Sequence, residues 1–217
     1  MFTAFSWIHV QVLLQGLVWT VVLSLISFAF GGALGFAVAL LRISPNRFIV
    51  WLVSGYVTLI QGTPVLILMF TIYFGLPVLG LDVSSLVAAS IGMTLFSSAY
   101  LGEIWRGSLQ SVPRTQWEAA DCLALSYWQR MRLVILPQAV RIATPPTVGF
   151  MVQIVKSTSL ASVIGMAEMT YVGKLINAST FQPFITYLVI AVFYFVICYP
   201  LSIWSRKLEK TYSVGSR

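Results

Sequence analysis

Five long apolar stretches, parted by short polar segments, run the length of the chain. The first, Val10 to Leu41, is interrupted only by Gln11, Gln15 and small or hydroxyl residues. A hydrocarbon core about 30 Å thick needs about 20 helical residues, so this stretch predicts a span with length to spare. The second covers Phe48 to about Phe74 and the third Ser84 to about Ile104. Between them, Leu76-Pro-Val-Leu-Gly-Leu-Asp82 reads as a turn-rich link without positive charge. Pro146 to about Ala167 makes the fourth stretch and Phe184 to Trp204 the fifth.

Composition excludes a water-soluble globule. Of 217 residues, 59% are hydrophobic and 9% charged, where a soluble domain is about a quarter charged; mean hydropathy is +0.91. The expectation is an all-α integral membrane protein of about five transmembrane helices, forming a single transmembrane domain over 1–217. No internal repeat, low-complexity tract or linker suggests a second domain.

The net charge of +7 would raise nucleic-acid binding in a soluble protein. Here the basic residues lie between apolar stretches and report topology instead. Segments 42–47, 105–141 and the tail from Ser205 hold all of the 13 Lys and Arg except Lys156 and Lys174. Lys174 alone falls on the opposite side. Positive residues mark the cytoplasmic face, so five spans place the N-terminus outside and the C-terminus inside. No Lys or Arg precedes Arg42, so the first stretch lacks the basic flank of a secretory signal and should remain in the mature protein.

Catalytic constellations are missing from the pattern. His9 is the single histidine and reads as an interfacial residue, while Cys122 and Cys198 fall in unrelated segments. Neither a disulfide framework nor metal spacing follows. The chain has no Gly-Lys-Ser/Thr phosphate loop, so it cannot itself hydrolyse ATP. An intramembrane hydrolase would need paired catalytic groups, and a purely structural membrane protein would not need the loop described next.

The polar segment 105–141 contains two capping-box patterns, Thr115-Gln-Trp-Glu118 and Ser126-Tyr-Trp-Gln129. In each, a hydroxyl cap and a Glu or Gln three residues on satisfy free amides at a helix start. They predict short helices near 116–124 and 127–136, the second ending before Pro137. Small side chains at Ala119, Ala120 and Ala124 would let a partner's groove approach closely; a solvated linker between spans is the plainer reading.

Glu118-Ala-Ala120, Ala124 and Val134-Ile-Leu136-Pro137 resemble the EAA loop of ABC importer permeases: Glu-Ala-Ala, three residues, Gly, nine residues, Ile-x-Leu-Pro. Ala124 stands for the usual Gly and Val134 for Ile. Ala at that position should stiffen the helix end and remove easy access to a left-handed backbone. Gln61-Gly-Thr-Pro64, Ile72-Tyr-Phe-Gly-Leu-Pro77, Ala99-Tyr-Leu-Gly-Glu103-Ile-Trp-Arg106-Gly, Leu136-Pro-Gln138-Ala and Lys156-Ser-Thr-Ser-Leu160 are similar, in order, to blocks of the polar amino-acid uptake permeases. A Glu168-containing helix follows them.

The resemblance implies a type I importer fold in a bacterial inner membrane. It further implies a second permease subunit (the same chain or a homologue), two ATP-binding ABC subunits and a periplasmic amino-acid-binding protein. No cofactor would be bound by this chain, ATP and Mg being used by the ATPase. Glu118, Ala119, Ala120, Ala124, Leu136 and Pro137 would then couple transport to the ATPase.

Polar groups within the apolar stretches are the candidates for substrate contact. Lys156, followed by Ser157, Thr158 and Ser159, lies inside the fourth stretch, where a central lysine costs about 2.5–3.5 kcal/mol to insert. It reads either as a structural lysine reaching carbonyls or an interface, or as a fixed charge for a substrate carboxylate. Glu103 reads either as a partner of Arg106 three residues on or as an acid facing an amino group. Gln61 and Thr63 flank a break in the second stretch that is at least a kink and, in membranes, also a place where freed backbone lines cavities. Relatives usually carry Arg before Gly-Thr-Pro and Asp after the Lys, where this chain has Gln61 and Ser157. The joint change is neutral if those residues pair in relatives, and disfavours a cationic substrate if the Asp reads a side chain.

Overall fold

The computed structural model describes residues 4–213; Arg217, counted above with the basic tail, lies outside them. The described residues form nine α-helices and no strand. Four helical segments are long and apolar enough to cross a membrane, and a bent pair makes a fifth.

Helix α1 spans Trp7–Arg42 and packs along α4, Ser85–Gln110, in the most extensive helix pairing of the fold. Small residues make that seam close. A Cβ on Gly35 would sit 3.0 Å from the Ser98 carbonyl oxygen, and one on Gly102 would sit 2.6 Å from Val38 Cγ1. Without side chains there, dispersion and backbone proximity hold the helices together where lipid offers no hydrophobic drive. Around the seam, Leu23, Met69, Met93 and Ile154 are buried in one apolar cluster.

The second apolar stretch is two helices rather than one, α2 (Arg47–Gly62) and α3 (Val65–Val78), meeting at 99°. Pro64 lacks an N–H and drives the residue before it out of the helical region. Thr63 accordingly sits at φ −106°, ψ 128°, and its hydroxyl donates back to the Leu59 carbonyl at 2.8 Å.

The loop after α4 departs from expectation in three places. Helix α5 runs Arg114–Cys122 with Pro113 at its N-cap (φ −55°), so the Thr115 capping box does not form. A proline's fixed φ already suits a helix start, and Thr115 falls inside. The Ser126–Gln129 box does form, opening α6, Tyr127–Arg130. Pro137 does not end that helix: a π-turn over Met131–Ile135 carries the chain into α7, Leu136–Ser157, with Pro137 in its first turn. The wide turn has its own five-residue bond, Leu136 N–H to Met131 O, and the first turn of a helix tolerates a missing donor.

Ala124 is the third departure. It adopts the left-handed conformation after all, at φ 51°. Its N–H bonds the Asp121 carbonyl at 2.9 Å and the Leu125 N–H bonds that of Ala120 at 3.2 Å, the pattern of a Schellman cap. Alanine therefore bears a steric cost that glycine would avoid.

Helix α7 starts well before Pro146 and passes through Pro145 and Pro146. It tightens into a 3-10 turn over Thr158–Ile164, which Gly165 closes at φ 78°. The chain then restarts as α8, Met169–Thr180, capped by Glu168, and returns as α9, Pro183–Ser213. The end of the protein holding Arg42, Arg114, Arg130 and Arg206 is called the basic end below.

Replacing Ala124 with Gly should relieve the strained cap by about 1 kcal/mol. Amide exchange across residues 119–125 should slow about five-fold, measured by hydrogen–deuterium exchange; unchanged exchange would show that alanine bears no cost there.

Candidate functional site

The break between α7 and α8 lies deep in the bundle. Thr20 of α1 touches it: Thr20 Oγ1 accepts from the Met169 amide at 3.3 Å and lies 3.4 Å from Glu168 Oε2. Thr20 is 13 residues from the N-terminal end of α1 and 22 from its basic end, about 20 Å and 33 Å at 1.5 Å per residue. From that level α8 runs to the end of the bundle opposite the basic end, where the Phe5 amide donates to Gln182 Oε1 at 3.2 Å. The fourth crossing is thus a discontinuous helix, interrupted inside the membrane.

Glu168 is fully buried at the break. It accepts from the Tyr171 amide at 2.9 Å and from the Tyr194 hydroxyl at 3.1 Å. Its carboxylate therefore ties α1, α8 and α9 together through neutral donors. Sequence reading named Glu168 only as part of a following helix and passed over Tyr194; an acid amid apolar residues was the available signal.

Lys156 stands in the last turn of α7, two residues before the 3-10 turn begins at Thr158. It is exposed and lines a groove of about 690 Å³ between α7 and α9. Val152, Tyr194, Phe195 and Cys198 form its wall, with Ser202 and Arg206 toward the basic end. No acidic residue lines it. Among the described residues Lys156 has no carboxylate partner.

The three hydroxyl residues after Lys156 are not equivalent to it. Ser157 and Thr158 are buried. Ser157 Oγ lies 3.5 Å from Gln153 Nε2, and Thr158 Oγ1 donates to the Val155 carbonyl at 2.7 Å. Ser159 donates to the Lys156 carbonyl at 2.7 Å. None of the three lines the groove.

Glu103 is held elsewhere. Arg42 Nε reaches it at 3.0 Å and Arg106 binds both its oxygens, at 3.0 and 2.7 Å. Arg42 also donates to Ser54. The Arg106 pairing follows from spacing; the Arg42 contact, 61 residues away in sequence, does not. Trp105 Nε1 donates to Thr147 Oγ1 at 2.9 Å, fixing α4 against α7. Counting from that bond, Glu103 and Lys156 lie roughly 10 Å apart in depth. They do not share one site.

At the bend of the second crossing, Gln61 is exposed with Nε2 3.5 Å from the Ala99 carbonyl, and Thr63 is spent on its own helix end. On the loop, Glu118, Ala119, Ala124 and Pro137 are exposed and Leu136 half-buried. Ala120 is buried, packing inward. Leu123 and Trp128 add large exposed apolar surface beside them, 73% and 79% accessible.

The description "binding-protein-dependent transport system inner membrane component" matches residues 31–214. The chain is 37% identical over 200 residues to the probable amino-acid ABC transporter permease protein YckA of Bacillus subtilis, covering 92% of this chain and 88% of that one. It is 36% identical over 214 residues to the L-cystine transport system permease protein TcyB of the same organism, covering 96% and 92%. Among solved structures, an amino acid ABC transporter with histidines superposes with a TM-score of 0.90 at 30% identity, covering 96% of this chain and all of that one. The inward-facing MetNI methionine ABC transporter shares the fold, with a TM-score of 0.80 at 18% identity over 96% of this chain and 99% of that one. Five apolar crossings, a discontinuous fourth helix and these likenesses together make the chain a multi-pass member of the binding-protein-dependent transport system inner membrane component family.

Proposed function

We propose that this chain is the permease subunit through which a polar amino acid enters a bacterial cell. The basic end faces the cytoplasm, with the N-terminus periplasmic. A periplasmic binding protein delivers substrate, a second permease subunit completes the pathway, and two copies of an ABC subunit hydrolyse ATP. Curated relatives described as amino-acid permeases support this reading over import of another small polar solute.

One observation carries the site: Lys156 is an unpaired positive charge beside a helix break inside the membrane, on an open groove without acids. A substrate carboxylate is the missing partner. The Tyr194 hydroxyl, held by Glu168, and Cys198 and Ser202 offer weaker polar contacts along the wall. With Arg206 at one end and no carboxylate, the groove favours neutral or acidic amino acids over cationic ones. Ser157 faces the interior, so it does not read the substrate's side chain.

A charge-assisted hydrogen bond to a carboxylate is worth about 1.5–3 kcal/mol, or roughly ten- to hundred-fold in affinity. Lys156→Met should raise the half-saturating substrate concentration by that factor in proteoliposomes, with insertion and basal ATP hydrolysis intact. Wild-type uptake kinetics in this variant would sink the site.

The exposed surface at Glu118, Ala119 and Ala124, with Leu123 and Trp128 beside it, is the ATPase seat in this reading. Ala119→Trp should leave the protein inserted while separating ATP hydrolysis from uptake; equal coupling ratios at equal abundance would remove the seat from α5. Ala120→Trp tests internal packing instead, because Ala120 is buried.

Orientation is tested by a single cysteine at position 115 in a Cys-free background. It should react with an impermeant reagent only from the cytoplasmic side, and periplasmic labelling would invert the topology.

A further inference from the structure

A second cavity, of about 790 Å³, opens at the basic end, away from the groove. The turn between α1 and α2, the end of α4, helix α5 and the π-turn enclose it. Arg42 and Arg114 line it, Trp117 and Tyr127 wall it, and no Asp or Glu does either.

Charge is unbalanced there. Glu103 is neutralised twice over, by Arg42 and by Arg106. Asp121, on the same loop, is taken by Arg130, whose guanidinium lies 5.6 Å above the Trp117 ring and 5.8 Å from that of Tyr127. Arg42 commits Nε to Glu103 and Nη1 to Ser54, and its Nη2 has no acceptor among the described residues. The Arg114 side chain is exposed and has neither ion pair nor hydrogen bond among the described residues. Two guanidinium groups thus converge on one concavity with donors to spare, a geometry that suits tetrahedral oxyanions.

The cavity's setting selects the source of such an anion. Arg42 is the last residue of a membrane-crossing helix. Val50 of the cavity wall lies between Phe48 and Trp51 on α2, which are 68% and 70% exposed and stacked at 6.2 Å. Exposed aromatic rings beside basic residues mark the headgroup zone of a bilayer, and anionic lipid headgroups are drawn to such arginines.

We propose that this cavity holds the phosphate group of an anionic phospholipid from the leaflet at the basic end, with Arg114 as its principal ligand and Arg42 as a second donor. The site fastens the α1–α2 turn to α5. It does not depend on the groove at Lys156 or on the orientation of the chain.

The test uses the intact transporter complex in phosphatidylcholine nanodiscs doped with phosphatidylglycerol, with retained lipids counted by native mass spectrometry. Wild type should keep phosphatidylglycerol through delipidation, and Arg114→Gln should keep about ten-fold less at an unchanged melting temperature. Arg114→Lys should hold an intermediate amount, since it keeps the charge and loses the planar fork. Lys207→Gln, which removes an exposed charge from α9 at the same end, should behave as wild type. Equal retention in Arg114→Gln, or equal loss in Lys207→Gln, would overturn the proposal. A parallel arm adds inorganic phosphate to delipidated complex. Protection from heat by phosphate that requires Arg114, without phosphatidylglycerol retention, would assign the cavity to a soluble phosphate ester and refute a lipid ligand.

Discussion

Inside hydrocarbon no polar group can turn to water, and each ionisable side chain in this protein must be answered from within or by a partner. The answers differ in kind. Glu103 is met by two arginines from two helices. Glu168 is met by an amide and hydroxyl groups from three segments. Lys156 is met by nothing among the described residues. The first two sets of contacts fix where α1, α4, α8 and α9 stand, while Lys156 lies on the groove beside α9.

The same constraint explains where the helices break. Backbone freed by Pro64 or by the turn at Thr158–Ile164 is costly unless it is re-bonded or lines a polar space. Thr63, Thr158 and Ser159 return their hydroxyls to nearby carbonyls. That use of the hydroxyls is why they do not line the groove themselves. The break is affordable because its own side chains repair it, and Lys156 is left at its edge.

At the basic end the problem is mechanical. Helix α5 is nine residues long and is held by Trp117, by buried Ala120, by the Asp121–Arg130 ion pair and by the Gln138–Gln116 hydrogen bond. A Schellman cap at Ala124, the Ser126–Gln129 box and the π-turn join it to α7 without a flexible linker. That ties α5 to the base of α7, which runs from Leu136 to Ser157 and carries Lys156 in its last turn.

The crossings themselves were legible because apolar length and the placement of arginines are properties of the chain alone. Their positions came out within a few residues for α1, and the kink at Gly62–Pro64 was visible because proline acts on its own neighbours. So was the Glu103–Arg106 pair, three residues apart on one helix. What the amino-acid order could not disclose were contacts whose partners are far apart in it: Arg42 with Glu103, Glu168 with Thr20 and Tyr194, and the groove uniting Lys156 with α9. Local rules also failed where tertiary packing outweighed them. Pro137 did not stop its helix because a π-turn absorbed it, and Ala124 took a left-handed backbone because the tie between α5 and α6 required one. Hydrophobicity and charge act residue by residue and can be read in order; which side chain answers which, inside a medium without water, is decided only when the helices close on one another.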